Sequence, residues 1–330
     1  MGSAFIISLD FELHWGGFEK WSLEAYKNYF NSTRELIPQL LKAFEQTDTH
    51  ATWATVGLLL NKSNSELNDN TPEEIPGYIN NHLSAYDFIE AKGIGIDEVN
   101  DPYHYAPSIA AQILNTKGQE LGSHSYAHFY CNEPGQTPSQ FYYDAKSWNK
   151  AASKFGISAR SLVFPRNQFN NKYLNECEKA GIKIVRTNPK DWWWQINSTE
   201  NESFWKRLNR GSDAYLSLGG KTTFDLKEVK KKGGVYLLPA SRLFRPYNPK
   251  ELFLNNWKIK RIKSEMTIAA KNNECYHLWW HPHNFARHPE QNLKDLSEIL
   301  NHFTELKSEY DFQSLNMNEV ALFLDNGKGS

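Results

Sequence analysis

Phe5-Ile6-Ile7-Ser8-Leu9-Asp10-Phe11-Glu12 is a short apolar run, strand-like in composition, that ends in two carboxylates. The same grammar recurs along the 330 residues. Ala51-Thr52-Trp53-Ala54-Thr55-Val56 is a second run, and Glu120-Leu121-Gly122-Ser123 ends at His124. Ser161-Leu162-Val163-Phe164 ends at Pro165-Arg166, the run 182–185 at Arg186, the run 235–238 at Pro239, and the run 275–280 at His281. Helical patterns separate most of them, near 33–45 (capped by Asn31 or Ser32), 108–117, 138–155, 171–180, 257–271, 292–307 and 317–324. The stretch 61–107, rich in Asn, Ser, Pro and Glu, reads as a long surface insertion. About seven strands alternating with helices predict a parallel α/β fold. In a β/α barrel the residues that end the strands meet at one face. Asp10, Glu12, His124, Arg166 and His281 share that position. No composition break divides the chain, so 1–330 reads as one domain.

Composition narrows the function. Lys plus Arg is 37 and Asp plus Glu is 38, a net charge of −1 that argues against a nucleic-acid binder. Three widely spaced cysteines, Cys131, Cys177 and Cys275, indicate neither a disulfide framework nor a zinc ribbon. The N-terminus lacks the basic and apolar regions of a signal peptide, and no apolar stretch is long enough to span a membrane. The expectation is a cytoplasmic protein. The outlier is 19 Phe, 16 Tyr and 11 Trp, which serve either a large core or a sugar-like ligand surface.

Gly122-Ser123-His124-Ser125-Tyr126-Ala127-His128 holds two histidines four residues apart. They share a face if the segment turns helical, and neutral imidazoles so placed are natural zinc ligands. A structural role fits them equally. Asp10 and Glu12, two apart on a strand, point the same way. One can bind a metal while the other takes a proton.

With these residues in order, the chain resembles the polysaccharide deacetylases, the NodB-homology group of carbohydrate esterases. Ser8-Leu9-Asp10-Phe11-Glu12 resembles the family's first motif, and His124-Ser125-x-x-His128 its second. Phe164-Pro165-Arg166-Asn167 resembles the third, Asp191-Trp192 the fourth and Trp280-His281 the fifth. The resemblance implies an irregular (β/α)7-type barrel and a single divalent metal, zinc by its donor set. It implies metal-dependent removal of an N-acetyl or other small acyl group from an amino sugar. Carried over by position, Asp10 is the general base, and His124 and His128 are metal ligands. His281 is the general acid, Asp191 tunes it, and Arg166 orients Asp10. The usual motif has a second aspartate where Phe11 stands, so Glu12 is the replacement ligand. Arg166 follows Pro165 rather than preceding it, a displaced equivalent.

Trp192 and Trp193, with Trp194, suggest a platform for a pyranose ring, and Trp279 or Trp280 a wall for the acyl methyl group. The backbone N–H of Tyr126 is a candidate oxyanion donor, and His283 competes with His281 as the acid. A deacetylase inside the cell implies a precursor of a surface glycan, nucleotide- or lipid-linked. The rival classes are a carbohydrate-binding protein on a decayed fold, an amide hydrolase with a non-sugar substrate, and a metal-free glycosidase.

Overall fold

The computed structural model describes residues 2–194, 205 and 221–327. The first run forms β1 (Ala4–Phe11), buried on both faces. That is the environment of a parallel strand covered by helices. β2 (Ala51–Thr55), β3 (Gln119–Ser123), β4 (Ser161–Val163) and β5 (Ile184–Thr187) follow in parallel order from β1. β6 (Lys230–Lys232) is an antiparallel edge on β7 (Val235–Pro239). β8 (Arg242–Leu243) pairs with β9 (Cys275–Trp280), and β9 with β1. β10 (Gln313–Leu315) adds to the lower end of β1.

The sheet order is β6-β7-β5-β4-β3-β2-β1-β9-β8. β7 and β8 are one stretch of chain interrupted at Ala240-Ser241. The Ala240 N–H donates to Thr187 O beside β5, and the Ser241 N–H to His277 O in β9. This kinked stretch therefore lines β5 with its first half and β9 with its second, completing a ring of seven: β1, β2, β3, β4, β5, β7–β8 and β9. The fold is the expected irregular (β/α) barrel.

Strand alternation sorts the side chains. On β1, Phe5, Ile7, Leu9 and Phe11 join the helix-side core, while Ala4 and Ile6 pack inside with Ala54, Val163, Ile184 and Leu238. Met317, Val320, Ala321 and Leu324 of the helix Met317–Asn326 belong to that inner cluster and close the lower end of the barrel. Ser8 and Asp10 continue the inner row upward to the opposite mouth.

Two expectations change. The first helix spans Leu23–Gln46, not 33–45, because Phe30 is buried and the aromatic rings of Tyr26 and Tyr29 pack on its first turns. The stretch 61–107 is more than a surface insertion. It carries the helices Asn64–Asp69 and Ala85–Lys92 and buries Leu67, Tyr78, Asp101, His104 and Tyr105. Met317→Ala is expected to cost about 2–5 kcal/mol in a denaturant titration, since the plug has no other way to fill that volume.

Candidate active site

The β-strand ends assemble the site. β1 delivers Asp10 and Glu12, 1% and 4% exposed. Glu12 then starts the short turn Leu13–Gly16. Gly16 lies so close that a Cβ there would overlap the Glu12 carboxylate. Leu13 takes a left-handed φ of 47°. A buried chain holds this turn. His14 Nε2 bonds Trp21 O at 2.9 Å, His14 Nδ1 meets His104 Nε2 at 2.7 Å, and His104 Nδ1 meets Asp101 Oδ2 at 2.7 Å.

β3 delivers His124, but the segment after it is not the helix that the spacing suggested. Ser125 and His128 adopt left-handed φ angles of 59° and 54°. Buried Asp144, from the helix Pro138–Ala152, accepts the N–H groups of Tyr126 (2.6 Å) and Ala127 (3.0 Å). Ser125 Oγ accepts the Phe129 N–H at 2.6 Å. These bonds stabilise a turn in which both imidazoles point at one carboxylate. Glu12 Oε1 lies 2.9 Å from His124 Nε2, 3.2 Å from His128 Nε2 and 3.6 Å from His281 Nε2. Burial raises the Glu12 pKa, but His281 and the hydrogen bonds from His124 and His128 outweigh it and hold the carboxyl well below its ordinary value.

Glu12, His124 and His128 present one donor atom each, all within 4.8 Å of one another. Ligands of a tetrahedral ion with bonds of about 2.0–2.2 Å stand roughly 3.4 Å apart, so two imidazoles and a carboxylate at these distances fit zinc. His128 Nδ1 meets the Tyr130 hydroxyl at 3.0 Å, the outer support that orients a ligating ring.

Asp10 is clamped, though not by Arg166. Arg186, at the end of β5, donates Nη1–H to Oδ1 at 2.8 Å and Nη2–H to Oδ2 at 2.7 Å. The same guanidinium reaches Ser8 Oγ (2.9 Å) and Asn167 Oδ1 (3.0 Å) and lies 4.4 Å over the Trp279 ring. Burial raises the Asp10 pKa, and Arg186, His281 and His124 reverse this and bring it below the ordinary value. Arg166, with a left-handed φ of 53°, turns away to pair with Glu19 and lies 4.5 Å over the Tyr130 ring. Its ring contact with Tyr130 and its charge beside Glu12 place it at the margin of the site. The readable signal for Arg186 was that it too ends a strand-like run.

Other expected residues are placed differently. The carboxylates beside His281 Nε2 are Asp10 and Glu12, each 3.6 Å away, whereas Asp191 lines a side cavity with Lys190 and Ser241. Trp193 and Trp194 are 7% and 8% exposed and pack with Trp279, so Trp193 is no open sugar platform. The Trp192 side chain lies outside the described residues. Trp280 alternates out of the barrel and stacks on Phe285 at 5.5 Å, while Trp279 faces the site. The Tyr126 N–H, taken by Asp144, is unavailable to an oxyanion. His283 is buried 5.1 Å from the His281 ring, and burial pushes its pKa down to about 3, which keeps it neutral.

Two outcomes follow. Gly16→Ala is expected to weaken zinc binding at least tenfold in a calorimetric titration while leaving the fold intact, because the added methyl displaces Glu12. His277 is buried beneath the site, and burial pushes its pKa down to about 3 from 6.5. Above pH 6.5 both folded and unfolded chains hold it neutral; below, only the unfolded chain takes the proton. Stability should therefore fall as pH drops from about 6.5 towards 3, by a few kcal/mol, on the order expected from linkage. Urea melts of His277→Gln should show a flatter slope across that window.

Known proteins bear on this arrangement. The sequence profile of the family described as polysaccharide deacetylase matches residues 26–185, a range that contains His124 and His128. No curated protein sequence matches the chain. A protein from Mycobacterium smegmatis assigned to the polysaccharide deacetylases superposes with a TM-score of 0.60 at 12% identity, covering 99% of this chain and 92% of that one. A probable polysaccharide deacetylase from Pseudomonas aeruginosa gives 0.56 at 9% identity, covering 97% and 89%. A branching enzyme from Pyrococcus horikoshii gives 0.50 at 12% identity, covering 100% and 71%, a likeness of fold alone. The profile match over residues 26–185 and the shared barrel together make this chain similar to the polysaccharide deacetylases.

Proposed function

We propose that this protein is a metal-dependent hydrolase that removes a small acyl group, N-acetyl or formyl, from an amino sugar used to build a cell-surface glycan. One observation carries the reading. Three imidazole Nε2 atoms from β3, its turn and β9 converge on Glu12 Oε1 beside a clamped second carboxylate.

In this reading Glu12, His124 and His128 hold the ion, most simply zinc, and the chain 1–330 acts as one catalytic unit. When bound, the ion supplies Lewis acidity at the acyl carbonyl and acidifies a water molecule. Asp10 accepts the water's proton at a carboxylate oxygen, and the Arg186 clamp fixes which way the carboxylate faces. His281 Nε2, 3.6 Å from both carboxylates, gives a proton to the departing nitrogen. An amine leaves poorly unless protonated, so an acid is needed at that position. Trp279, packed under Arg186, walls the inner side of the site.

Acetate or formate release from free, nucleotide-linked and lipid-linked N-acyl sugars tests the reading. Release should occur with at least one substrate, disappear with a chelator and return with zinc. No release from any of them would overturn it. Arg186→Lys keeps the charge but loses the two-pronged clamp, so its rate should fall at least tenfold, while Arg166→Lys should lower it less.

A further inference from the structure

We propose that the barrel rim around Leu252, Phe253 and Trp257 seats on an anionic lipid bilayer. Resting on the deacylase reading above, this makes the substrate an amino sugar carried on a membrane lipid.

The placement follows from chain geometry. The helix Leu252–Lys271 enters β9 through only three residues, so it runs antiparallel to that strand. At about 1.5 Å per residue its 20 residues rise roughly 30 Å. The six residues of β9 rise only about 20 Å to His281. The helix therefore begins at or above the level of the site, on the same mouth of the barrel.

That first stretch is apolar where it should be polar. Leu252, Phe253 and Trp257 are 60%, 84% and 51% exposed. Phe253 and Trp257, four apart, share a face, and Leu252 adjoins it. Isolated exposed apolar residues are ordinary, but three within two turns form a patch. A second apolar tip stands on another sector of the rim. Ile79 is 78% exposed, and its N–H is bonded to Pro134 O in the loop after His128. Tips on separate sectors of one rim suit a flat partner rather than a peptide in a groove.

Charge points to the kind of surface. The whole chain carries −1. Around the mouth-side half of the helix and of its packed neighbour Pro289–Tyr310, Lys250, Lys260, Lys263, Arg287 and Lys294 outnumber Glu251, Glu290 and Glu298, a local excess of two positive charges. Buried Lys258 is left out of this sum because Asp295 matches it, and Arg261 because it shares Glu265 with Arg242. Lys260 sits one turn below the patch, where its stem can lie along apolar surface and its ammonium meet a headgroup. Aromatic and leucine side chains edged by lysines are what an interfacial helix presents.

The test sediments the intact zinc-loaded protein with vesicles of phosphatidylcholine alone or mixed with phosphatidylglycerol. Binding is expected to the mixed vesicles and to weaken with salt. The triple variant Leu252→Ser, Phe253→Ser, Trp257→Ser should lose at least about tenfold in partitioning, with an unchanged melting temperature. Lys250→Glu with Lys260→Glu should weaken binding while leaving the apolar patch in place. Acetate release from a soluble N-acetyl sugar should be unaffected in both variants. No binding to either vesicle, or equal binding by the triple variant, overturns the docking surface whether or not the soluble sugar is hydrolysed. A dimer that becomes a monomer on the triple substitution also overturns it, since the occupant would then be a second copy.

Discussion

Two carboxylates buried at the mouth of a barrel have to be matched by positive charge or hydrogen bonds, because an unmatched buried charge costs several kcal/mol. Asp10 and Glu12 impose that demand, and the upper half of the molecule answers it. Arg186 comes from β5, His124 and His128 from the end of β3, and His281 from the end of β9. Since these partners arrive from strands on all sides, the ring must close for the charges to be satisfied. Closure in turn relies on the kink at Ala240-Ser241, where one stretch of chain changes neighbours from β5 to β9.

The lower half is apolar for the same topological reason. The inward row of β1 runs from Ala4 and Ile6, which pack against the terminal helix, through Ser8 to Asp10. Ser8 marks the change. Its hydroxyl lies 2.8 Å from His277 Nε2 and accepts from Arg186, so polar bonding begins one residue below the carboxylate. Beneath it the inner cluster is apolar, and above it lie the charged groups, with the His281 ring partly exposed. A site built this way leaves Asp10 one orientation, because both its oxygens are engaged by one rigid guanidinium.

The strained turns belong to this economy of positions. Leu13, Ser125, His128, Arg166 and Asn167 all hold left-handed φ angles, and all lie within a few residues of the site. Non-glycine residues keep such angles only when their surroundings over-determine them. Asp144 supplies that support for the histidine turn, and the His14–His104–Asp101 chain for the glutamate turn. The stretch 61–107, which contributes His104 and Asp101, is thus tied to the site although it brings no group to the chemistry.

From the sequence alone, the alternation of short apolar runs with longer helical patterns predicted a parallel α/β fold, run length and bounding turn residues separating strand from helix, while the barrel was implied by the family resemblance. The polar residues that end those runs named Asp10, Glu12, His124 and His281, and the four-residue spacing from His124 named His128. It could not decide between Arg166 and Arg186. Both end a strand-like run, and only the φ of 53° at Arg166 turns its side chain to Glu19. Nor could it separate Trp279 from Trp280, because the inward parity of β9 is set by its register with β1, in which Ser8 pairs with Trp279 and Leu9 with Trp280. The aromatic excess is likewise mostly core, with Trp279 as the ring that meets the clamped carboxylate through Arg186. Which residues end strands is a local property of the chain. Which of them face one another is decided by strand register and turn strain, and these exist only once the sheet has closed.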